Sequence, residues 1–142
     1  MKQPDTGISR STKTKERVLL FNFKEGPQLK AVQTALFLMQ MEGRCVGKEE
    51  YMLPMKLLLD EKIVSAIPQG GPRQELAGQM MVFAGLAQER LTGLLSLLRA
   101  NPECGVIPYK AILTDTNKEW NAYTLLEELK KEHMAMHLQE NK

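Results

Sequence analysis

The amino-acid sequence predicts an α/β fold, a two-layer sandwich in which a roughly four-stranded sheet is packed by helices. Two observations support this class. Short apolar runs rich in strand-forming residues are bounded by turn-forming residues, which is typical of buried strands. Stretches with apolar residues at helical spacing lie between these runs, so strands and helices alternate along the chain. With 43% hydrophobic and 25% charged residues, the composition is that of an ordinary globular protein.

The apolar runs predict four strands, near residues 17–23, 44–48, 79–84 and 109–114. A strand that returns to the same sheet after a crossover helix lies parallel to the strand before it. Each half of the chain should therefore contribute one parallel pair of strands to the sheet.

Helical spacing follows the first strand, where Pro27 suits a first turn and Leu29 and Leu36 share one face. Gly43 is the predicted C-terminal stop of this helix. Residues 63–67 leave two interpretations open, because they could extend the second helix or form a small extra strand. The other predicted helices cover residues 54–62, 88–100 and 117 to about 138.

The order strand, helix, strand, helix recurs after a loop rich in Pro and Gly, which predicts a duplicated β-α-β-α unit. The predicted organisation is a single domain over residues 17–138, with pseudo-repeats 17–67 and 76–138 and a linker 68–75. Neither half could bury its apolar surface alone, so the two should share a core about a pseudo-two-fold axis. A spacing of 62 residues pairs several identical residues, among them Phe21 with Phe83, Gly43 with Gly105 and Lys48 with Lys110.

Charge is distributed unevenly within a net charge of +2. Residues 1–17 hold five basic and two acidic side chains, whereas the remainder holds 14 basic and 15 acidic ones. Residues 1–16 are polar and lack periodicity, and they are predicted to form a disordered basic tail. Because the folded body is nearly neutral, nucleic acid is disfavoured as a partner.

The sequence also predicts a cytoplasmic location without a membrane partner. No apolar run approaches the length of a membrane span, and no apolar stretch follows the first residues as it would in a secretory signal. Cys45 and Cys104 form no C-x-x-C pair and should be reduced thiols in that compartment.

No catalytic or metal-ligating pattern is recognisable in the sequence. His133 and His137 share a helix face but lack the glutamate of H-E-x-x-H, and the chain has no other histidine. Neither a glycine-rich phosphate loop nor G-x-S-x-G occurs. We therefore predict no catalytic residue, no metal and no cofactor.

The most distinctive segment covers residues 107–120 and leads from a strand through a tight turn into the last helix. Thr116 and Glu119 fit a capping box, and Trp120 would pack the first helical turn onto the sheet. The same turn suits a small anion, because a helix N-terminus would lie beside lysines at the end of a strand. The candidate ligand-binding residues are Lys110, Thr114, Asp115, Thr116, Asn117 and Lys118.

From about Met80 to His133, the chain resembles a bacterial family of short domains known only as the domain of unknown function numbered 3783. The resemblance covers less than half of the chain and implies no known activity. The residues that carry it are Pro108, Lys110-Ala111, Leu113-Thr114, Thr116-Asn117, Trp120 and Glu132-His133.

Taken together, these patterns favour a non-enzymatic binding or regulatory module that acts through this strand-to-helix turn and the region of Lys48. One alternative is a small enzyme with a cleft between the two halves, using Asp115 or Cys104. A further alternative is a nucleic-acid-binding domain. The partner hypotheses are a small anionic ligand and a second copy of the chain, joined along an exposed sheet edge.

Overall fold

The structure is a computed structural model that describes residues 16–60 and 75–140. Its strands form one four-stranded sheet, so the predicted α/β class, with a sheet packed by helices, is confirmed. The strands are β1 (Arg17–Phe21), β2 (Glu42–Val46), β3 (Met80–Ala84) and β4 (Tyr109–Ile112). The helices are α1 (Pro27–Leu38), α2 (Met55–Leu58), α3 (Gln88–Ala100) and α4 (Ala122–Glu140), with 3₁₀ segments at Lys48–Glu50, Pro102–Cys104 and Asn117–Glu119.

The strand order is β2-β1-β3-β4. β1 pairs with β2 in parallel, and β3 pairs with β4 in parallel, which confirms one parallel pair in each half. The halves meet where β1 and β3 pair antiparallel, with Leu19 opposite Val82. Consequently β4 is an outer strand, and no other described strand pairs with its far side.

Two hydrophobic clusters lie on opposite faces of this sheet because successive strand side chains alternate. Val18 and Leu20 of β1 join the cluster that packs α1 and α3. Leu19 and Phe21 join the other cluster, which packs α2 and α4. The helices are thus divided between the two faces, and the central strands β1 and β3 are buried along their apolar residues.

The predicted helix stop at Gly43 is wrong. α1 ends at Leu38, and the chain then turns through Gln40, which adopts a positive φ of 58°. Gly43 instead lies in β2, where an added Cβ would come within 2.5 Å of Leu36 Cδ1. A larger residue at this position would therefore have to displace the buried Leu36 side chain of α1.

The 62-residue register holds in the helices but not in the strands. Leu36 of α1 and Leu98 of α3 are both buried in the same cluster. Phe21 and Phe83, however, belong to clusters on opposite faces. Neighbouring residues of a strand point to opposite faces of the sheet. Residues of β1 and β3 that point to the same face are an odd number of positions apart in the sequence, so the even spacing of 62 does not relate these two strands.

Several predictions concern residues outside the described part of the chain. These are the tail before residue 16, the open segment 63–67 and most of the linker 68–75. They stay predictions. The second helix, predicted over residues 54–62, is shorter than predicted, because α2 ends at Leu58.

Candidate functional site

The outer edge of β4 exposes backbone hydrogen-bonding groups. The Leu113 N–H donates to the Phe83 carbonyl oxygen at 2.8 Å, so Leu113 faces β3. In a parallel ladder the neighbouring residues on the same strand face the opposite way. The N–H and C=O of Lys110 and the N–H of Ile112 therefore lie on the outer edge of the sheet, where no described strand pairs with them.

A cavity of ≈490 Å³ lies along this edge, and its lining residues come from both faces of β4. Lys110 and Ile112 project to the α3 face, and Ala111 projects to the α4 face. The cavity wall on the α3 side is formed by Phe83, Leu91 and Leu95. On the α4 side the wall is formed by Trp120, Leu125, Leu129, Glu128 and Glu132.

The side chain of Asn117 closes one end of the edge. Its Nδ2 donates to the Ile112 carbonyl at 3.0 Å, and its Oδ1 accepts from the Thr114 N–H at 2.8 Å. The Thr114 hydroxyl in turn accepts from the Asn117 N–H at 3.0 Å. This buried amide, with 8% of its surface exposed, bonds to β4 as the peptide group of a neighbouring strand would. Beyond Ile112, the edge is therefore already satisfied.

The predicted capping box is wrong. Thr116 has helical backbone angles and makes no side-chain cap bond. The segment Asn117–Glu119 is a 3₁₀ turn that ends at Trp120, and α4 begins only at Ala122. Asn121 caps α4 instead, since its Oδ1 accepts from the Thr124 N–H at 2.9 Å. The signal was present in the sequence, because asparagine is a strong cap residue immediately before the apolar stripe.

We expect this difference to be visible in stability. Asn121→Ala should lower the free energy of unfolding by about 1 kcal/mol, because α4 loses its cap. Thr116→Ala should change it by less than about 0.5 kcal/mol, because that exposed side chain caps nothing. Urea unfolding of both variants measures the two values. A loss at Thr116 equal to that at Asn121 would contradict the assignment of the cap.

The structure brings together five of the six predicted ligand-binding residues, Thr114 to Lys118, in a single turn. The backbone N–H groups of Thr114, Asn117 and Lys118 already have acceptors within this turn. The Lys118 ammonium lies 3.4 Å from the exposed Asp115 carboxylate. These contacts occupy much of what an anion would need, and the anion site stays a prediction.

The side chain of Lys110 bonds to a residue outside this turn. Its Nζ donates to the Ile107 carbonyl at 2.6 Å. Burial lowers the pKa of Lys110, and the charge of Arg99 lowers it further. Lys110, which lines the cavity, thus places a positive charge on its α3 side.

Neither cysteine lies in a setting that activates a thiol. Cys104 is fully buried. Burial raises its pKa, and the nearby Glu103 carboxylate adds to the effect. Burial, assisted by Glu25, also raises the pKa of Cys45. A raised pKa reduces the thiolate fraction at neutral pH, which is the opposite of what a catalytic cysteine requires.

In residues 16–60 and 75–140, no three or more His, Cys, Asp or Glu side chains come together as metal ligands would. The ring of His133 packs against that of Tyr109 at a tilt of 47°, with ring centroids 5.0 Å apart, and the side chain of His137 lies outside the described part. No helix of the described chain combines the length and the apolar character needed to cross a bilayer.

The fold and the cavity define an α/β domain with a recessed, unpaired sheet edge. Within it, residues 79–136 match the family model of a domain of unknown function, DUF3783, which confirms the resemblance seen in the sequence. The matched span contains β3, α3, β4 and all but the end of α4, and therefore both walls of the cavity. Comparison with curated proteins and with solved structures found no match.

Proposed function

We propose that this chain is a non-enzymatic binding module that takes an extended segment of a partner protein as an added strand on β4. One observation carries the proposal: the outer edge of β4, where Lys110 and Ile112 have backbone groups that no described strand pairs with, lines a groove with largely apolar walls. Strand addition uses main-chain hydrogen bonds for affinity and pockets for alternate side chains for specificity.

The shape of the cavity suits a strand more than a compact ligand. A strand projects its side chains alternately to both faces of the sheet. The cavity offers an apolar wall on each face, with Leu91 and Leu95 from α3 on one side and Leu125 and Leu129 from α4 on the other. An added strand would cover Ile112, which is 52% exposed in the chain alone.

The contacts of the cavity supply little for catalysis. Its titratable side chains are Lys110, Glu128 and Glu132. The Lys110 ammonium is bonded to a backbone carbonyl, and Glu128 is paired with Lys131 at 3.2 Å. Because no base-and-nucleophile pair is formed among these groups, binding is favoured over the enzyme alternative.

The cellular setting is part of the same proposal. Cys45 and Cys104 are both free, which suits a reducing compartment such as the cytoplasm. The family resemblance supports a bacterial source for the chain.

We also propose that the two halves are structural repeats. Asn22 and Gly85, the residues directly after β1 and β3, both adopt positive φ, at 66° and 77°. Two reciprocal hydrogen bonds join the beginnings of α2 and α4. The Met55 N–H donates to the Trp120 carbonyl, and the Ala122 N–H donates to the Tyr51 carbonyl. These equivalences support a pseudo-two-fold axis between β1 and β3.

The test of strand addition removes one outward N–H. In Ile112→Pro, the lost N–H faces away from β3, so the ladder to β3 stays intact, as edge strands permit. Peptides selected on the wild-type protein from an unbiased random library should bind this variant about tenfold more weakly, since a backbone hydrogen bond is lost and the added ring crowds the ligand. Fluorescence titration measures the affinities, and amide shifts of Lys110 and Ile112 locate the site.

Ile112→Val is the matched control, because it keeps both the N–H and a β-branched side chain and should bind as the wild type does. Equal binding of the selected peptides to the Pro and Val variants would contradict strand addition. Amide shifts confined to surfaces away from β4 would contradict the site itself. Turnover of a substrate that is lost in Asp115→Asn would contradict the non-enzymatic assignment.

A further inference from the structure

We infer that the added strand carries an acidic side chain beside Lys110 and a basic side chain at the positions on either side of it. This inference rests on the proposed function and names the chemistry of the partner segment. It follows from the charges on the two walls of the cavity, which have opposite sign.

The α3 face of the cavity carries a cation. Lys110 of β4 projects to this face and lines the cavity beside the apolar Leu91 and Leu95 of α3. In a strand pair, directly opposite residues place their side chains on the same face. The ligand residue opposite Lys110 therefore points toward the face that carries the Lys110 ammonium, where a carboxylate is favoured.

The α4 wall carries two carboxylates. Glu132 and Glu128, the latter also paired with Lys131, line it together with the apolar Leu125 and Leu129. The ligand residues on either side of the central one point to this wall. A lysine or arginine there would lay its aliphatic stem on the leucines and bring its charge to the glutamates.

The next ligand positions return to the α3 face. One of them would lie beside Ile112, facing Leu91 and Leu95, and an apolar side chain is favoured there. The partner segment thus reads apolar, basic, acidic, basic, apolar, and this order is the same for a parallel or an antiparallel added strand.

A second copy of the chain is a poorer occupant. Two β4 strands paired antiparallel about Lys110 would place the two lysines directly opposite each other, and like charges in that position are destabilising. A register moved toward the end of the strand would compete with Asn117 for the Ile112 carbonyl. The chemistry of the edge therefore favours a different protein segment.

Two end-capped synthetic peptides test the inference. The first has a central glutamate flanked on each side by an arginine and then an isoleucine, with threonines at the ends. The second exchanges the charges, with a central lysine and flanking glutamates. The wild-type protein should bind the first about tenfold more tightly at low ionic strength, and the difference should shrink as salt is added. Amide shifts at Lys110 and Ile112 report the site.

The variant Lys110→Glu should reduce or reverse this preference. Lys110→Gln removes the charge without reversing it, so it should reduce the preference and serves as the test if Lys110→Glu does not fold. Lys30→Glu makes the same change of charge at an exposed lysine of α1, outside the cavity, and should leave the preference unchanged. Equal binding of the two peptides, or a preference that Lys110→Glu and Lys110→Gln do not alter, would overturn the inference. So would a dimer through β4, detected by sedimentation and lost in Ile112→Pro.

The two levels of the proposal fail in different ways. If neither peptide shifts the β4 amides while library-selected peptides do, the charge pattern is wrong and strand addition stands. If library-selected peptides also leave these amides unchanged, both are wrong.

Discussion

Replacing Asn117 by alanine should lower the free energy of unfolding by about 2 kcal/mol. The substitution leaves the Ile112 carbonyl and the Thr114 N–H without their partner, and an unsatisfied buried polar group costs about 1–3 kcal/mol. Water can reach the end of β4 through the cavity, so the loss should stay below the sum of two full penalties. Urea unfolding, monitored by circular dichroism, measures it.

Asn117→Asp is the matched variant, because it keeps the acceptor for the Thr114 N–H and loses only the donor to the Ile112 carbonyl. Its loss at neutral pH should be clearly smaller than that of Asn117→Ala. If alanine costs less than about 0.5 kcal/mol, the amide does not secure the edge, and the open stretch of β4 would then extend beyond Ile112.

Asn117 also illustrates what the sequence could not decide. The segment Thr116-Asn117-Lys118-Glu119 satisfies the pattern of a capping box, so Thr116 was the predicted anchor. In the structure Asn117 bonds to residues three and five positions earlier. The capping box and the observed bonds of Asn117 involve the same short segment. Which of them forms depends on where β4 ends, and the local sequence pattern does not specify that position.

The central strands were predictable because their apolar residues are continuous. β1 and β3 lie within the predicted ranges, as does β4, although β1 and β4 each end two residues early. β2 is displaced by two residues, from 44–48 to Glu42–Val46. Its only buried residue is Val46, so hydrophobicity gave little information on where this outer strand begins.

The cavity depends on long-range order that no spacing in the sequence reveals. Its walls come from α3 and α4, and its floor is the outer strand of a sheet whose order is β2-β1-β3-β4. The sequence predicted two parallel pairs but not which strands would be outermost. It did identify Lys110, Thr114 and Asn117, which all line the cavity, whereas Leu95 and Leu129 lie in predicted helices and were not among the candidate site residues.

A buried ion pair near the other outer strand should give the largest single loss of stability. An Arg44 guanidinium nitrogen is bonded to Glu50 Oε1, and the Gly47 N–H donates to Glu50 Oε2 at 3.1 Å. Glu50 is only 8% exposed. Arg44→Met would leave this carboxylate buried without its counter-charge, so the free energy of unfolding should fall by about 3 kcal/mol, as measured by urea unfolding at neutral pH.

A second substitution separates the buried charge from the lost packing. Adding Glu50→Gln to Arg44→Met removes the unpaired charge and keeps an acceptor for the Gly47 N–H, so the double variant should recover more than half of the loss. Arg17→Met serves as the control, since Arg17 pairs with the more exposed Glu42 at 2.5 Å and its loss should stay below about 1 kcal/mol. If the double variant were as unstable as Arg44→Met alone, the loss would come from the arginine's packing and its contact with the Leu58 carbonyl instead of from the stranded charge of Glu50.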